Sequence, residues 1–153
     1  MIALIQRVSS ASVEVAGEIT GACGPGMLIL LGVHISDTED QATWLANKCA
    51  NLRIFRDENG QMNRSCIEAG GEALVVSQFT LYGNTDKGNR PSYVHSAPGD
   101  QAEPLYEFFI SELESRLGTA VASGRFGAMM NVSLVNDGPV TLIVERRNDR
   151  AEK

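Results

Sequence analysis

Residues 132–145 read VSLVNDGPVTLIVE, two apolar alternating runs separated by Asn136-Asp137-Gly138-Pro139. Asn, Asp and Gly tolerate the positive φ of a tight turn, so the plain reading is a hairpin between two short strands. Pro139 complicates it. Proline has no N–H to give to a ladder, so it must begin a strand, lie on an edge or be held off the sheet. An X-Pro bond can also be cis, which points two successive carbonyls differently from any trans peptide. The stretch predicts strands over residues 129–135 and 139–145, and leaves Gly138-Pro139 open between a turn and a functional element.

Working outward, the chain is rich in such runs. Residues 2–8 and 11–15 alternate or are β-branched, with a turn at Gly17, and GPGMLILLGV (24–33) is a continuous apolar strand bounded by glycines. Further strands are expected over 52–55, 73–81 and 119–123. Two helices stand between them. Asp37 can cap one whose Ala42, Leu45, Cys49 and Leu52 share a face; Asp100 and Glu103 form a capping box for another, with Leu105, Phe109, Leu113 and Leu117 ended by Gly118. Pro104 falls in its first turn, where a missing N–H is harmless. The sum is an α+β, strand-rich single domain: a partial or closed β-barrel or sheet with two flanking amphipathic helices. That domain spans 1–145, and the alternating charges of 146–153 read as a flexible tail.

At 153 residues and 43% hydrophobic content the chain can fill one core. A net charge of −6 argues against wrapping long nucleic acid, which needs many Lys and Arg contacts, and leaves room for a small RNA footprint. Cys23, Cys49 and Cys66 form no C-x-x-C pair and have no metal-ligand spacing, so they read as reduced thiols. No run approaches the roughly 20 apolar residues of a membrane span, and the start lacks the features of a signal peptide. No membrane association is expected, and a cytoplasmic location follows.

Recognisable catalytic patterns are scarce. No serine stands in a G-x-S-x-G elbow, no H-E-x-x-H suggests a metal, and no glycine-rich phosphate loop is present, so neither metal nor cofactor is expected. His34 follows a buried strand, while His95 lies in a loop (83–98) long enough to be a site wall. In VVSQFTLYG (75–83), Ser77, Gln78 and Thr80 interrupt an apolar strand. They could be its solvated side, or a strand end offering backbone N–H groups and a hydroxyl to a developing oxyanion. A lone Thr80 without a base is a weak nucleophile. Phe126, Met129 and Met130 read as core, or as an apolar slot for a nucleobase. Arg7, inside an apolar strand, needs a carbonyl or carboxylate partner.

Together, SQFTLYG (77–83), NRPSY (89–93) and VNDGPVT (135–141) resemble the signature of the D-aminoacyl-tRNA deacylases, and the likeness runs from MIALIQRV to about Glu145. Tyr93 departs from the family, which usually has Phe there. The resemblance implies a homodimer in which each active site, bound to the 3′ acceptor end of a tRNA carrying a D-amino acid, is completed by a cis Gly138-Pro139 of the partner. It implies that Ser77, Gln78, Phe79 and Thr80 surround the terminal adenosine and scissile ester, that Phe126 to Met130 wall the adenosine, and that Arg7 orients the Gly-Pro segment. Backbone N–H groups near Phe79 and Thr80 would polarise the carbonyl, with the terminal ribose 2′-OH assisting. Lys87 and Arg90 are the nearest candidates for phosphates.

A selector of this kind works by exclusion. Carbonyls accepting from the α-ammonium fix the ester carbon, and an L side chain then points into the Gly-Pro backbone; glycine, lacking a side chain, cannot be excluded. Gly138→Ala is accordingly expected to harm activity far more than folding. Two rivals stay open at this stage: a general esterase or peptidase using Thr80 with His95, and a non-catalytic dimeric module binding RNA ends.

Overall fold

The computed structural model describes residues 1–148. In chain order the elements are β1 (Ile2–Val15), β2 (Glu18–Cys23), β3 (Gly26–Gly32), α1 (Glu39–Asn51), β4 (Phe55–Arg56), β5 (Met62–Arg64) and α2 (Cys66–Ala69). There follow β6 (Glu72–Ser77), a 3₁₀ turn (Phe79–Tyr82), α3 (Gly99–Leu117), β7 (Ala122–Ser123) and β8 (Asn131–Glu145). The expected α+β architecture is present, with a short third helix besides the two expected from the sequence.

Alternation along β1 buries Ala3, Ile5 and Arg7, then Ala11, Val13 and Val15. Its length gives it three neighbours. Residues 2–8 pair with β3, residues 11–15 pair with β2, and the other edge pairs with β8 from end to end. β6 lies parallel to β3, and β7 parallel to β6. Parallel neighbours need a long crossover, which here carries α1, the β4–β5 hairpin and α2. The sheet curls until β2 approaches β7: a Cβ on Gly21 would collide with the Ser123 backbone. The result is a nearly closed barrel.

Two apolar clusters follow from the curl. One, between sheet and helices, holds Ile5, Met27, Ile29, Leu45 and Phe109; the other holds Val8, Val13, Leu28, Leu74 and Val76. Because β3 feeds both, it is apolar without alternation, as a strand buried on both faces must be. α3 buries Ala102, Tyr106, Phe109 and Leu113, so the buried stripe is turned from the Leu105–Leu117 line, and Gly118 ends the helix in the left-handed region at φ 69°.

Several expectations need correcting. Thr38, reciprocally bonded with Gln41, caps α1. Asp37 is instead buried, and its carboxylate accepts from the Met1 ammonium at 2.6 Å and the His34 N–H at 2.7 Å. α3 starts at Pro98 and Gly99 with no side-chain cap, so the Asp100–Glu103 box does not form. In 52–55, Leu52 caps α1 and only Phe55 is strand. The strand expected over 73–81 ends at Ser77.

The largest correction concerns 132–145. It is not a hairpin: β8 is one strand of 15 residues, because β1 is long enough to pair with both halves. Gln6 pairs with Thr141 and Val8 with Asn136, so a two-residue advance on β1 faces a five-residue advance on β8. Asp137 to Val140 are therefore pushed out of the ladder as a bulge, where Pro139 owes no hydrogen bond. The Gly138-Pro139 peptide is cis.

Of the expected tail, Arg146 to Asn148 are tied to the body. The Arg146 N–H donates to the Met1 carbonyl at 2.9 Å, its guanidinium lies 5.3 Å from the Trp44 ring, and the Asn148 amide donates to the Ser36 carbonyl at 2.7 Å. Residues 149–153, the rest of that expectation, lie outside the described residues.

Closure between β2 and β7 can be tested. Gly21→Ala must push the Ser123 backbone away, and urea denaturation should show a loss of about 1–3 kcal/mol. Unchanged stability would mean that the two strands are not held in contact.

Candidate active site

The polar segment after Val76 leaves the sheet in an ordered way. The Gln78 N–H makes the last rung to the Leu31 carbonyl at 2.8 Å; the chain then tightens into the 3₁₀ turn, with Leu81 N–H donating to Gln78 and Gly83 N–H to Thr80. The first N–H groups of a helical turn have no acceptor within it. Here they belong to Phe79 and Thr80. Both residues are exposed, Phe79 by 58% despite its apolar ring. Gly83 lets the following loop turn back, since a Cβ there would press on the Tyr93 ring.

This turn forms one rim of a cavity of about 720 Å³. Ser77, Gln78, Phe79 and Thr80 line it together with Phe126, Met129 and Met130 from the segment before β8. Tyr106 of α3 and Leu31 of β3 also line it. The Tyr106 hydroxyl donates to the Val75 carbonyl at 3.1 Å, and burial pushes its pKa up to about 12, which keeps it a neutral donor. Its ring lies 5.6 Å from Phe126, and Tyr93 meets Phe79 edge to face at 5.1 Å. Apolar walls with a few polar groups at one rim, in this volume range, suit a nucleoside-sized ligand.

Seven residues singled out in the sequence thus share one cavity. Arg7, Gly138 and Pro139 do not line it. Gly138 and Pro139 are exposed on the β8 bulge, while Arg7 is 4% exposed beneath them. Its Nη1 donates to the Ile54 carbonyl at 2.6 Å and its Nε to the Asp137 carbonyl at 3.1 Å, with the Asp137 carboxylate 3.3 Å away. The partner demanded by a buried charge is therefore both a carbonyl and a carboxylate. Hydrogen bonding from Arg56, then the charges of Arg7 and Arg56, hold the Asp137 carboxyl below the usual carboxylate range.

Gly138 sits at φ 121°, and a Cβ there would collide with Arg7 Nη2. Its need for glycine is set within its own chain, so Gly138→Ala strains the fold as well as whatever the bulge touches.

Thr80 accepts a hydrogen bond from the Gln78 amide, and among the described residues no His or carboxylate is bonded to it. His95 stacks on His34 at 5.7 Å beside Tyr82, in a separate cavity of about 560 Å³. A Thr80–His95 nucleophile pair is not assembled. Ser36 N–H donates to His34 Nδ1 at 3.1 Å, and burial lowers the pKa of that ring. Among the described residues no group of three His, Cys, Asp or Glu could hold a metal, and no helix is long and apolar enough to cross a membrane. The sequence reading missed Tyr106 in the cavity; its hydroxyl on an otherwise apolar helical stripe was the available signal.

The D-Tyr-tRNA(Tyr) deacylase family matches this chain over residues 4–145. The chain belongs to that family. Membership makes it a hydrolase of aminoacyl-tRNA esters. A D-aminoacyl-tRNA deacylase of Salinibacter ruber is 58% identical over 97% of this chain and 99% of its own length. One from Roseiflexus castenholzii is 60% identical over 95% and 92%. Among solved structures, a c-Myc DNA unwinding element binding protein superposes with a TM-score of 0.90 at 40% identity, covering 97% of this chain and all of that one. A probable eukaryotic D-amino acid tRNA deacylase, 16% identical with a TM-score of 0.84, shares the fold over 94% and 97%.

The buried arginine is the most exacting contact near the bulge. Arg7→Met keeps the volume but leaves the Ile54 and Asp137 carbonyls without their donor, and should cost about 3 kcal/mol in urea denaturation. A loss within measurement error would show that water replaces the guanidinium at no cost.

Proposed function

We propose that the cavity beside the 3₁₀ turn takes the 3′-terminal adenosine of a D-aminoacyl-tRNA, and that the ester is hydrolysed at its Phe79–Thr80 rim. The observation that carries this reading is the pair of N–H groups at Phe79 and Thr80, which have no acceptor among the described residues, on the exposed rim of a cavity with apolar walls. Donors fixed in place before reaction stabilise an oxyanion without reorganisation. Phe126, Met129 and Met130 face the base, with Ser77 and Gln78 toward the ribose and ester. With no side-chain base bonded to Thr80, the terminal ribose 2′-OH assists attack on the carbonyl. An unpaired acceptor end offers few phosphates, which suits a chain of net charge −6.

Chirality is selected by Gly138-Pro139 of a second copy. The bulge is exposed and is held from behind by Arg7, so it can project into a neighbour's site. β8 supports the dimer: a long edge strand exposing Leu134, Val135, Leu142 and Ile143 is an association surface. Sedimentation as a single chain under assay conditions would overturn the shared site. Glycyl-tRNA, with no side chain to reject, is cleaved to some degree.

The deciding assay compares D-tyrosyl-tRNA with L-tyrosyl-tRNA, then repeats the D substrate with a terminal 2′-deoxyadenosine. The D ester should be cleaved and the L ester spared, and the deoxy substrate should be slow. Equal cleavage of both enantiomers would remove the selector, and full activity on the deoxy substrate would remove the ribose from the mechanism.

The backbone donors can be tested separately. Proline is tolerated at the first position of a helical turn, so Phe79→Pro and Phe79→Ala both lose the ring but only the former loses the N–H. Single-turnover rates should differ between the two by about 100-fold. Equal rates would assign the oxyanion to other donors.

A further inference from the structure

The β4–β5 hairpin, which adds no strand to the barrel, reaches the bulge at two points. The Ile54 carbonyl, one residue before β4, accepts Arg7 Nη1 at 2.6 Å, and Arg7 passes the contact on to the Asp137 carbonyl. Arg56, in β4 itself, grips the Asp137 carboxylate from the outside. Its Nη1 lies 3.3 and 3.1 Å from the two carboxylate oxygens and its Nη2 lies 3.4 Å from one of them. Asp137 is thereby held by two guanidiniums, one buried and one half-exposed. It immediately precedes Gly138-Pro139, so its backbone direction sets where those two residues stand.

We infer that Arg56 is a positioning residue for enantiomer selection, holding the Asp137 side chain so that the Gly138-Pro139 bulge keeps one orientation. The inference rests on the proposed selector role of that bulge. Arg7 holds the Asp137 carbonyl at 3.1 Å and lies 3.3 Å from its carboxylate, and Asn136 Oδ1 accepts from the Val140 N–H at 3.0 Å, so the bulge is tied from its inner side and at its far end. Arg56 adds the grip on the outer side, a bidentate fork on the carboxylate that resists a pivot of Asp137. A rejection that depends on an L side chain meeting backbone atoms is sensitive to such a pivot, because a small displacement opens the space that was closed. The D substrate, directed away from the bulge, feels it less. Arg56 belongs to the same chain as the bulge it holds, so it acts in the site of the neighbouring copy.

The test measures kcat/KM for D-tyrosyl-tRNA and L-tyrosyl-tRNA with Arg56→Ala, Arg56→Lys and the parent protein, together with thermal melting. Arg56→Ala should lower the D-to-L ratio by about fivefold, the most an exposed pair of this kind contributes, with melting moved by no more than about 2 °C. The change should lie mainly in faster cleavage of the L ester. Arg56→Lys, which retains the charge without the fork, should recover part of the ratio. Raising salt should lower the ratio of the parent protein but not that of Arg56→Ala, since the pair is open to screening. An unchanged ratio in Arg56→Ala, or a fall that tracks lost melting temperature and is not recovered by lysine, overturns the inference. Pro139→Ala separates this from the reading beneath it: if that variant changes the ratio while Arg56→Ala does not, the selector stands and Arg56 has no part in it. If neither changes it, the selector reading fails as well.

Discussion

A single buried guanidinium ties together parts of the chain that the sheet alone would leave apart. Arg7 sits in the middle of β1, within an apolar core where an unpaired charge would be prohibitive, and it is satisfied by carbonyls brought from the β4 approach and from β8, together with the Asp137 carboxylate. That requirement forces Asp137 to turn its carbonyl inward at one point. The residues that follow cannot rejoin the ladder until Thr141. The bulge is thus the consequence of satisfying a charge, and the exposed position of Gly138-Pro139 follows from it.

The same strand explains the location of the cavity. β1 pairs with β3 through its first half and β2 through its second, which bends the sheet and carries β6 and β7 round toward β2. β6 therefore ends near the segment leading into β8, and the turn after Ser77 lines one cavity with Phe126 and Met130. Residues separated by some fifty positions in sequence meet because one long strand has two partners on one edge. Nothing in either segment alone would bring them together.

What the sequence disclosed and what it withheld divide along that line. Local periodicity located β3, both long helices and the glycine that ends α3, since each is written in consecutive residues. The Arg7 charge announced that it needed a partner, and the likeness of 135–141 to a known signature indicated which one. The continuous β8 was hidden because Asn136-Asp137-Gly138 has the composition of a turn; only the length of β1, about 130 residues earlier, decides that the ladder resumes. The strand expected over 73–81 failed at Gln78, where the backbone leaves the sheet, and the reading of Ser77, Gln78 and Thr80 as a strand's solvated side loses its basis. Arg56 was invisible for a plainer reason: an arginine beside a turn resembles any solvated charge, and its partner lies 81 residues away.

The division of labour in the proposed reaction follows from where donors can be left unbonded. A strand interior uses every N–H in its ladder, and a long helix leaves donors only at its start. A 3₁₀ turn entered directly from a strand end places two unused N–H groups next to each other on a rigid base, here fixed by the Gln78 rung to Leu31. Such a base can polarise a carbonyl but cannot take a proton, and the Thr80 hydroxyl beside it is engaged with Gln78. On the proposed reading, the missing acid–base group comes from the RNA, through the hydroxyl next to the ester. Proton transfer then depends on how the adenosine sits between Phe126 and the turn, so recognition of the base and catalysis become one geometric condition. A substrate that binds with its ribose displaced would keep its contacts with the apolar wall and lose the reaction.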